Sequence, residues 1–162
     1  MSPHPQDVAA RLEDRPGALA DLAETLGRAG VNLLGGGVFT DQGVGLAHFL
    51  VEDAVAAASA LAAARIEVTA VREVVLLRLD QGFPGQLGAL CRLMAEAGVN
   101  IAVQYSDHDH RLVLVVDEGE EAAATRVAEE WTTSTPSAGD TRTGALDVLA
   151  NAGLDDRADA WR

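Results

Sequence analysis

Residues 105–110 read Tyr-Ser-Asp-His-Asp-His, the densest run of side chains with chemical potential in the chain. In an extended backbone His108 and His110 share one face, and Asp107 and Asp109 share the other. Two imidazoles so placed could take a divalent transition metal. The competing reading is a hairpin turn, where Asp is common. The matching turn earlier in the chain, Thr-Asp-Gln-Gly at 40–43, has no histidine. An Asp107/His108 acid–base pair is conceivable, but nothing singles it out. His48 lies mid-strand in Leu-Ala-His-Phe-Leu-Val and is read as facing a sheet surface. No serine stands in a Gly-x-Ser-x-Gly frame. Cys91 is the only cysteine, so an internal disulfide and a Cys-x-x-Cys motif are both impossible. It falls in a helical pattern and reads as a buried thiol. There is no lysine, which removes the P-loop lysine and Schiff-base chemistry with pyridoxal phosphate. No catalytic residue and no cofactor are therefore assigned, and His108 and His110 stay weak metal candidates.

A second stretch, Ala-Gly-Val-Asn-Leu-Leu-Gly-Gly-Gly at 29–37, raises the question of a phosphate loop. Such loops run strand, glycines, helix, so that the helix N-terminus meets the phosphate. Here the periodicity places a helix before the glycines and a strand after Asn32, the reverse order. The run reads instead as a strand stripped of side chains, where a ligand or another backbone comes close.

The elements around these stretches come from an internal repeat. Residues 14–33, DRPGALADLAETLGRAGVNL, align without a gap with residues 82–101, GFPGQLGALCRLMAEAGVNI. Pro16, Gly17, Leu19, Leu22, Ala29, Gly30, Val31 and Asn32 recur as Pro84, Gly85, Leu87, Leu90, Ala97, Gly98, Val99 and Asn100. In each copy the proline suits the first turn of a helix, and Leu19, Leu22, Leu26 and Ala29 make a helical stripe. Gly30 and Gly98 sit where a helix end wants a left-handed residue. Strands are expected at 8–13, 31–39, 44–52 and 66–71 in the first copy. In the second they are expected at 74–79, 99–106 and 111–117. Second helices are expected at 53–65 and 120–131. Each copy thus runs β-α-β-β-α-β, the ferredoxin-like order. The fold class is α+β, with antiparallel sheets covered by helices on one face. Residues 6–72 form repeat 1 and 73–131 repeat 2. The fourth strand of repeat 2 is doubtful, because Trp-Thr-Thr-Ser-Thr-Pro-Ser-Ala (131–138) stands where repeat 1 has Ile-Glu-Val-Thr-Ala-Val. Residues 132–162 are expected to be a polar, largely mobile tail, in which 143–153 could form a short amphipathic helix.

Charge and composition narrow the partners. The net charge is −13, which repels nucleic acid and anionic membranes. No apolar run reaches the ~18–20 residues of a membrane span, and the first residues lack the basic and apolar segments of a secretory signal. A cytoplasmic protein is expected.

The motif Asp-Arg-Pro-Gly-x-Leu…Ala-Gly-Val-Asn-Leu, with Phe-Pro-Gly-x-Leu…Ala-Gly-Val-Asn-Ile in the second copy, resembles the ACT domain, a regulatory module that binds amino acids. Gly-Val-Asn-Ile-Ala-Val-Gln-Tyr (98–105) is particularly similar to the ACT domain of phosphoglycerate dehydrogenase. The resemblance covers roughly residues 7–131. It implies a stand-alone tandem regulatory protein that binds a small amino acid, or a similar zwitterion, where repeats meet. By position it implies ligand-binding residues Asp14, Arg15, Gly17, Ala18, Asn32 and Leu33 in copy one. In copy two it implies Asp80, Phe83, Gly85, Gln86, Asn100 and Ile101. The chemistry suits a zwitterion. Free N–H groups at a helix start can hold a carboxylate, the glycine after the proline lets the ligand approach the backbone, and Asp and Asn oxygens can accept from an ammonium. The family's polar residue two before the proline is Gly82 here and its histidine position is Asp80, so serine is not carried over as the ligand. Asn32 and Asn100 could instead satisfy backbone groups at a helix–strand corner, and Asp14 could cap its helix. A homodimer and a regulated enzyme or regulator are the expected partners. The alternatives are a ligand-free interaction or assembly module and, third, an enzyme that has recruited the fold.

Overall fold

The computed structural model describes residues 4–80 and 82–134. The helix expected at 143–153 and the tail beyond Ser134 lie outside the described residues. Strand β1 (Gln6–Glu13) leads into helix α1 (Ala18–Arg28), then β2 (Leu33–Asp41) and β3 (Val44–Val51). Helix α2 (Ala54–Ala63) and β4 (Glu67–Glu73) complete the first βαββαβ run. The second run is β5 (Val75–Leu77), α3 (Gln86–Glu96), β6 (Ile101–Ser106), β7 (Leu112–Val116) and α4 (Glu121–Ser134). The fold is therefore α+β, with antiparallel sheets and βαββαβ-like repeats. Where repeat 1 has β4, helix α4 continues through Trp131 to Ser134. The sheets run β2-β3-β1-β4 and β5-β7-β6.

Helix ends show why the motif recurs. Gly30 (φ 72°) and Gly98 (φ 74°) are both left-handed. The amides that follow them, Val31 and Val99, donate back to the carbonyls of Leu26 and Met94, which satisfies orphan carbonyls in the Schellman manner. Gly17 (φ 90°) and Gly85 (φ 91°) are left-handed too, as the N-caps of α1 and α3. Two expectations change here. Pro16 and Pro84 lie just before the N-cap rather than in the first turn. The glycine after each proline is demanded by its own φ: a Cβ at Gly17 would meet only an ordinary contact, 3.5 Å from an Arg15 guanidinium nitrogen. That region is disfavoured for residues with a Cβ.

The leucine stripe also needs correcting. Ala18, Leu22 and Leu26 form the buried face of α1, each four residues from the next. Leu19 is 48% exposed and its counterpart Leu87 is 41% exposed. With Val8, Ala10 and Leu12 of β1, Ala47 and Val51 of β3, and Ala54, Ala57 and Leu61 of α2, this face builds one core. Asp53 caps α2 by accepting from the Ala56 amide at 2.8 Å. The opposite face of the sheet carries the alternate residues of β1 and β3, among them Asp7, Ala9, His48 and Leu50.

The chain divides into two compact units. Among the described residues, one is built on those up to Val74 together with Gln104–Val115, the other on Val75–Val103 and those from Val116 to Ser134. The tip of the β6–β7 hairpin thus counts with the first sheet. The Asp107 region bridges to Gly35, and the His108 amide donates to the Leu34 carbonyl at 2.8 Å.

Candidate ligand site

In the first copy Asp14 and Arg15 follow β1, and their loop is braced from within. The Arg15 guanidinium donates to Glu13 at 2.8 Å, to Asp21 at 2.7 Å and to the Pro16 carbonyl at 3.3 Å. The Asp21 bond first, and then Glu13, hold its pKa above the usual arginine value. The Ala18 amide makes a long bond, 3.3 Å, to the Arg15 carbonyl. No side chain caps α1, so Asp14 does not take the capping role. The Asp14 amide donates to the Gly43 carbonyl at 3.3 Å, which ties the loop to the β2–β3 turn. Asp14 and Asn32 are exposed, and among the described residues neither side chain makes a hydrogen bond. Leu33 opens β2 and is half-buried.

The second copy spends the same groups locally. Asp80 accepts from the Gly82 amide at 2.8 Å, and the Phe83 amide donates to the Asp80 carbonyl at 3.4 Å. The Asn100 side chain donates to Asp117 at 2.9 Å, and the Asn100 amide donates to Glu120 at 2.6 Å. Asn100 therefore satisfies the corner between α3, β6 and the start of α4. Gln86 follows the Gly85 cap at the start of α3, buried, with its side-chain oxygen unpartnered among the described residues. Ile101 begins β6, half-buried.

The Asp-His run forms a turn. Asp107 is buried and accepts from the amides of Asp109 (3.0 Å) and Arg111 (2.7 Å) and from the Arg111 guanidinium (2.6 Å). His110 is left-handed, φ 60°, so the alternation of an extended strand does not apply to these histidines. Both are exposed, and among the described residues no group of three or more His, Cys, Asp or Glu could hold a metal ion. Burial raises the Asp107 pKa, but the Arg111 amide and guanidinium outweigh it and leave it below the ordinary carboxylate value. A depressed pKa stabilises the fold above the unfolded value, and this contribution is lost as pH falls through the folded one. The hairpin is therefore expected to loosen as the pH falls below the ordinary carboxylate range, and Asp107→Asn should remove Asp107's contribution to that acid limb. Urea midpoints measured against pH check it; parallel acid profiles for parent and variant would contradict it.

Sequence reading missed a second polar centre. Asp7 is fully buried, at 0% exposure, on the sheet face away from the helices. Its Oδ1 accepts from the Tyr105 hydroxyl at 2.8 Å, and its Oδ2 lies 2.9 Å from His48 Nδ1. A carboxylate facing Nδ1 requires the proton on that nitrogen. Burial, followed by the charge of Asp7, pushes the Tyr105 pKa well above the usual tyrosine value, so the phenol stays a donor. The one local signal was an acid directly ahead of the apolar run Val8–Ala10 in β1. Its partners, 41 and 98 residues away, carry no local mark.

No protein-family model matches the chain, and no curated protein does. Solved structures do resemble it. Protein BT0572 from Bacteroides thetaiotaomicron is 25% identical with a TM-score of 0.63, over 78% of this chain and 88% of that one. The ligand-free regulatory subunit of aspartate kinase from Thermus thermophilus is 19% identical with a TM-score of 0.60, over 80% and 93%. The corresponding subunit from Thermus flavus is 20% identical with a TM-score of 0.58, over the same shares. At these identities the likeness to the two kinase subunits is one of fold, an α+β chain of βαββαβ-like repeats.

Proposed function

We propose that this protein is a non-catalytic regulatory protein that binds a small amino acid at the first repeat, in the loop between β1 and α1 beside the start of β2. The observation that carries the reading is the asymmetry between the copies. Asp14 and Asn32 are unspent, whereas their region in the second copy is consumed by the Asp80–Gly82 and Asn100–Asp117 bonds. The uncapped start of α1 offers amides and positive partial charge to the ligand carboxylate. Arg15 adds a full charge there, for which the ligand competes with Asp21. The Asp14 carboxylate and the Asn32 side-chain carbonyl accept from the ammonium. The second copy then serves as structural support. Sharing a fold with regulatory subunits of aspartate kinase supports a regulatory rather than catalytic reading.

A thermal-shift screen of the purified protein against the twenty amino acids tests this. A ligand at about 100 times its Kd adds roughly 2.7 kcal/mol, a rise of several degrees in Tm. Asn32→Ala should abolish the shift and Asn100→Ala should leave it. A shift lost only in Asn100→Ala would move the site to the second copy. Silence from all twenty would end the amino-acid reading. One feature favours an interaction module instead: Phe39 and Leu46, cross-strand partners on β2 and β3, are 64% and 42% exposed.

A further inference from the structure

We infer that the hairpin tip, Tyr105–Arg111, is a latch: a stiff element closed onto the helix-free face of the first sheet by the Tyr105–Asp7 bond and able to open as a unit. The tip is braced internally. The Asp107 amide donates to the Arg111 carbonyl at 2.9 Å and the His110 amide to the Asp107 carbonyl at 3.2 Å, while the Asp107 carboxylate gathers two amides and the Arg111 guanidinium. Its hydrogen bonds to the sheet, among the described residues, are fewer: the Tyr105 hydroxyl on Asp7 and the His108 amide on the Leu34 carbonyl, beside the bridge from Asp107 to Gly35.

An element with strong internal bonds and few outward ones opens locally before the fold unravels. What holds it shut is a buried carboxylate whose second oxygen is already taken by His48. Asp7 needs the Tyr105 hydroxyl only while the latch is closed, because water replaces it when open. The hydroxyl therefore biases the closed state specifically. Opening would uncover Asp7 and Gly35 together.

Amide hydrogen exchange on the full chain tests the latch, because two hairpin amides report different events. The His108 amide bonds across to Leu34, and the Asp107 amide bonds within the hairpin. In Tyr105→Phe, which keeps the ring, His108 should exchange roughly tenfold faster or more. Asp107 and the amides of Ala9 and Ala47 within the first sheet should keep their rates. Asp7→Asn, whose carbonyl still accepts from Tyr105, should show a smaller effect at the same amide and serves if Tyr105→Phe folds poorly. Equal acceleration at His108 and Asp107 would mean that the hairpin merely unfolds. Acceleration extending to Ala9 and Ala47 would make the network a global stability element. Unchanged His108 exchange in both variants would show that the bond does not govern closure. Any of these three results overturns the latch.

Discussion

Replacing Asp7 with alanine is expected to lower the stability of the first unit by about 1–3 kcal/mol, the usual consequence of leaving a buried donor without its acceptor. The size follows from what is left behind. Tyr105 is 7% exposed, and its hydroxyl loses its acceptor without reaching solvent. An orphaned buried donor of this kind costs about 1–3 kcal/mol. The His48 side chain, 20% exposed, loses the group that fixes its tautomer. Leucine at position 7 would fill the space but still orphan the same hydroxyl. Asparagine keeps an acceptor for Tyr105 and a similar shape, so Asp7→Asn should cost less than half as much as Asp7→Ala. Urea unfolding of both variants measures this. Asp7→Ala within about 1 kcal/mol of the parent would show that water reaches Asp7 and that the network contributes little.

The same network marks the limit of what the amino-acid sequence discloses. The order of elements and the helix-end glycines were legible, because they recur at constant spacing and each copy repeats the other. The glycine pairs 17/85 and 30/98 adopt the same φ within a few degrees. The Asp7 network, in contrast, lives where the copies differ. Tyr105 stands opposite Gly37 in the repeat alignment, and the position of Asp7 is filled by Val75 in β5. A break in the repeat can be seen in the sequence. That two breaks 98 residues apart face one another depends on the hairpin tip counting with the first sheet, which no local pattern encodes. The candidate ligand residues show a subtler version of this limit. Asn32 and Asn100 occupy the same motif position and read as equivalent. They differ because Asp117 and Glu120 in the β7–α4 connection take up Asn100, whereas among the described residues no side chain bonds to Asn32. The helix stripe was misphased for a related reason. Leu19 fits the apolar period, yet alanine at position 18 is the residue that points inward.

Three alanine substitutions along Gly35-Gly36-Gly37 are expected to diverge sharply, although their neighbours in sequence are almost the same. A Cβ at Gly36 would stand 2.2 Å from the His48 carbonyl oxygen and 2.6 Å from the Phe49 ring, with φ at 141°. The clash is with backbone in a paired strand, so the sheet itself must shift. Strain at such a φ costs of order 1–3 kcal/mol and overpacking adds a similar ~1–3 kcal/mol, so Gly36→Ala should lose roughly 2–5 kcal/mol. At Gly35 the intruding Cβ lies 2.4 Å from the Asp107 Cα. That clash is relieved by lifting the hairpin tip, because Gly35 itself is extended and free of φ strain. Gly35→Ala should therefore destabilise the tip more than the sheet, with the His108 amide exchanging faster. At Gly37 the nearest atom is in the Phe39 ring at 3.5 Å, an ordinary contact beside a half-exposed strand. Gly37→Ala should be close to neutral, within about 0.5 kcal/mol. Thermal midpoints and exchange rates for the three variants decide between two origins of the glycine run. If Gly35→Ala and Gly36→Ala fold as well as Gly37→Ala, the run is spared side chains for a visiting ligand. If the order is as expected, the chain's own backbone already occupies that space, and the ligand must be sought at Asp14 and Asn32.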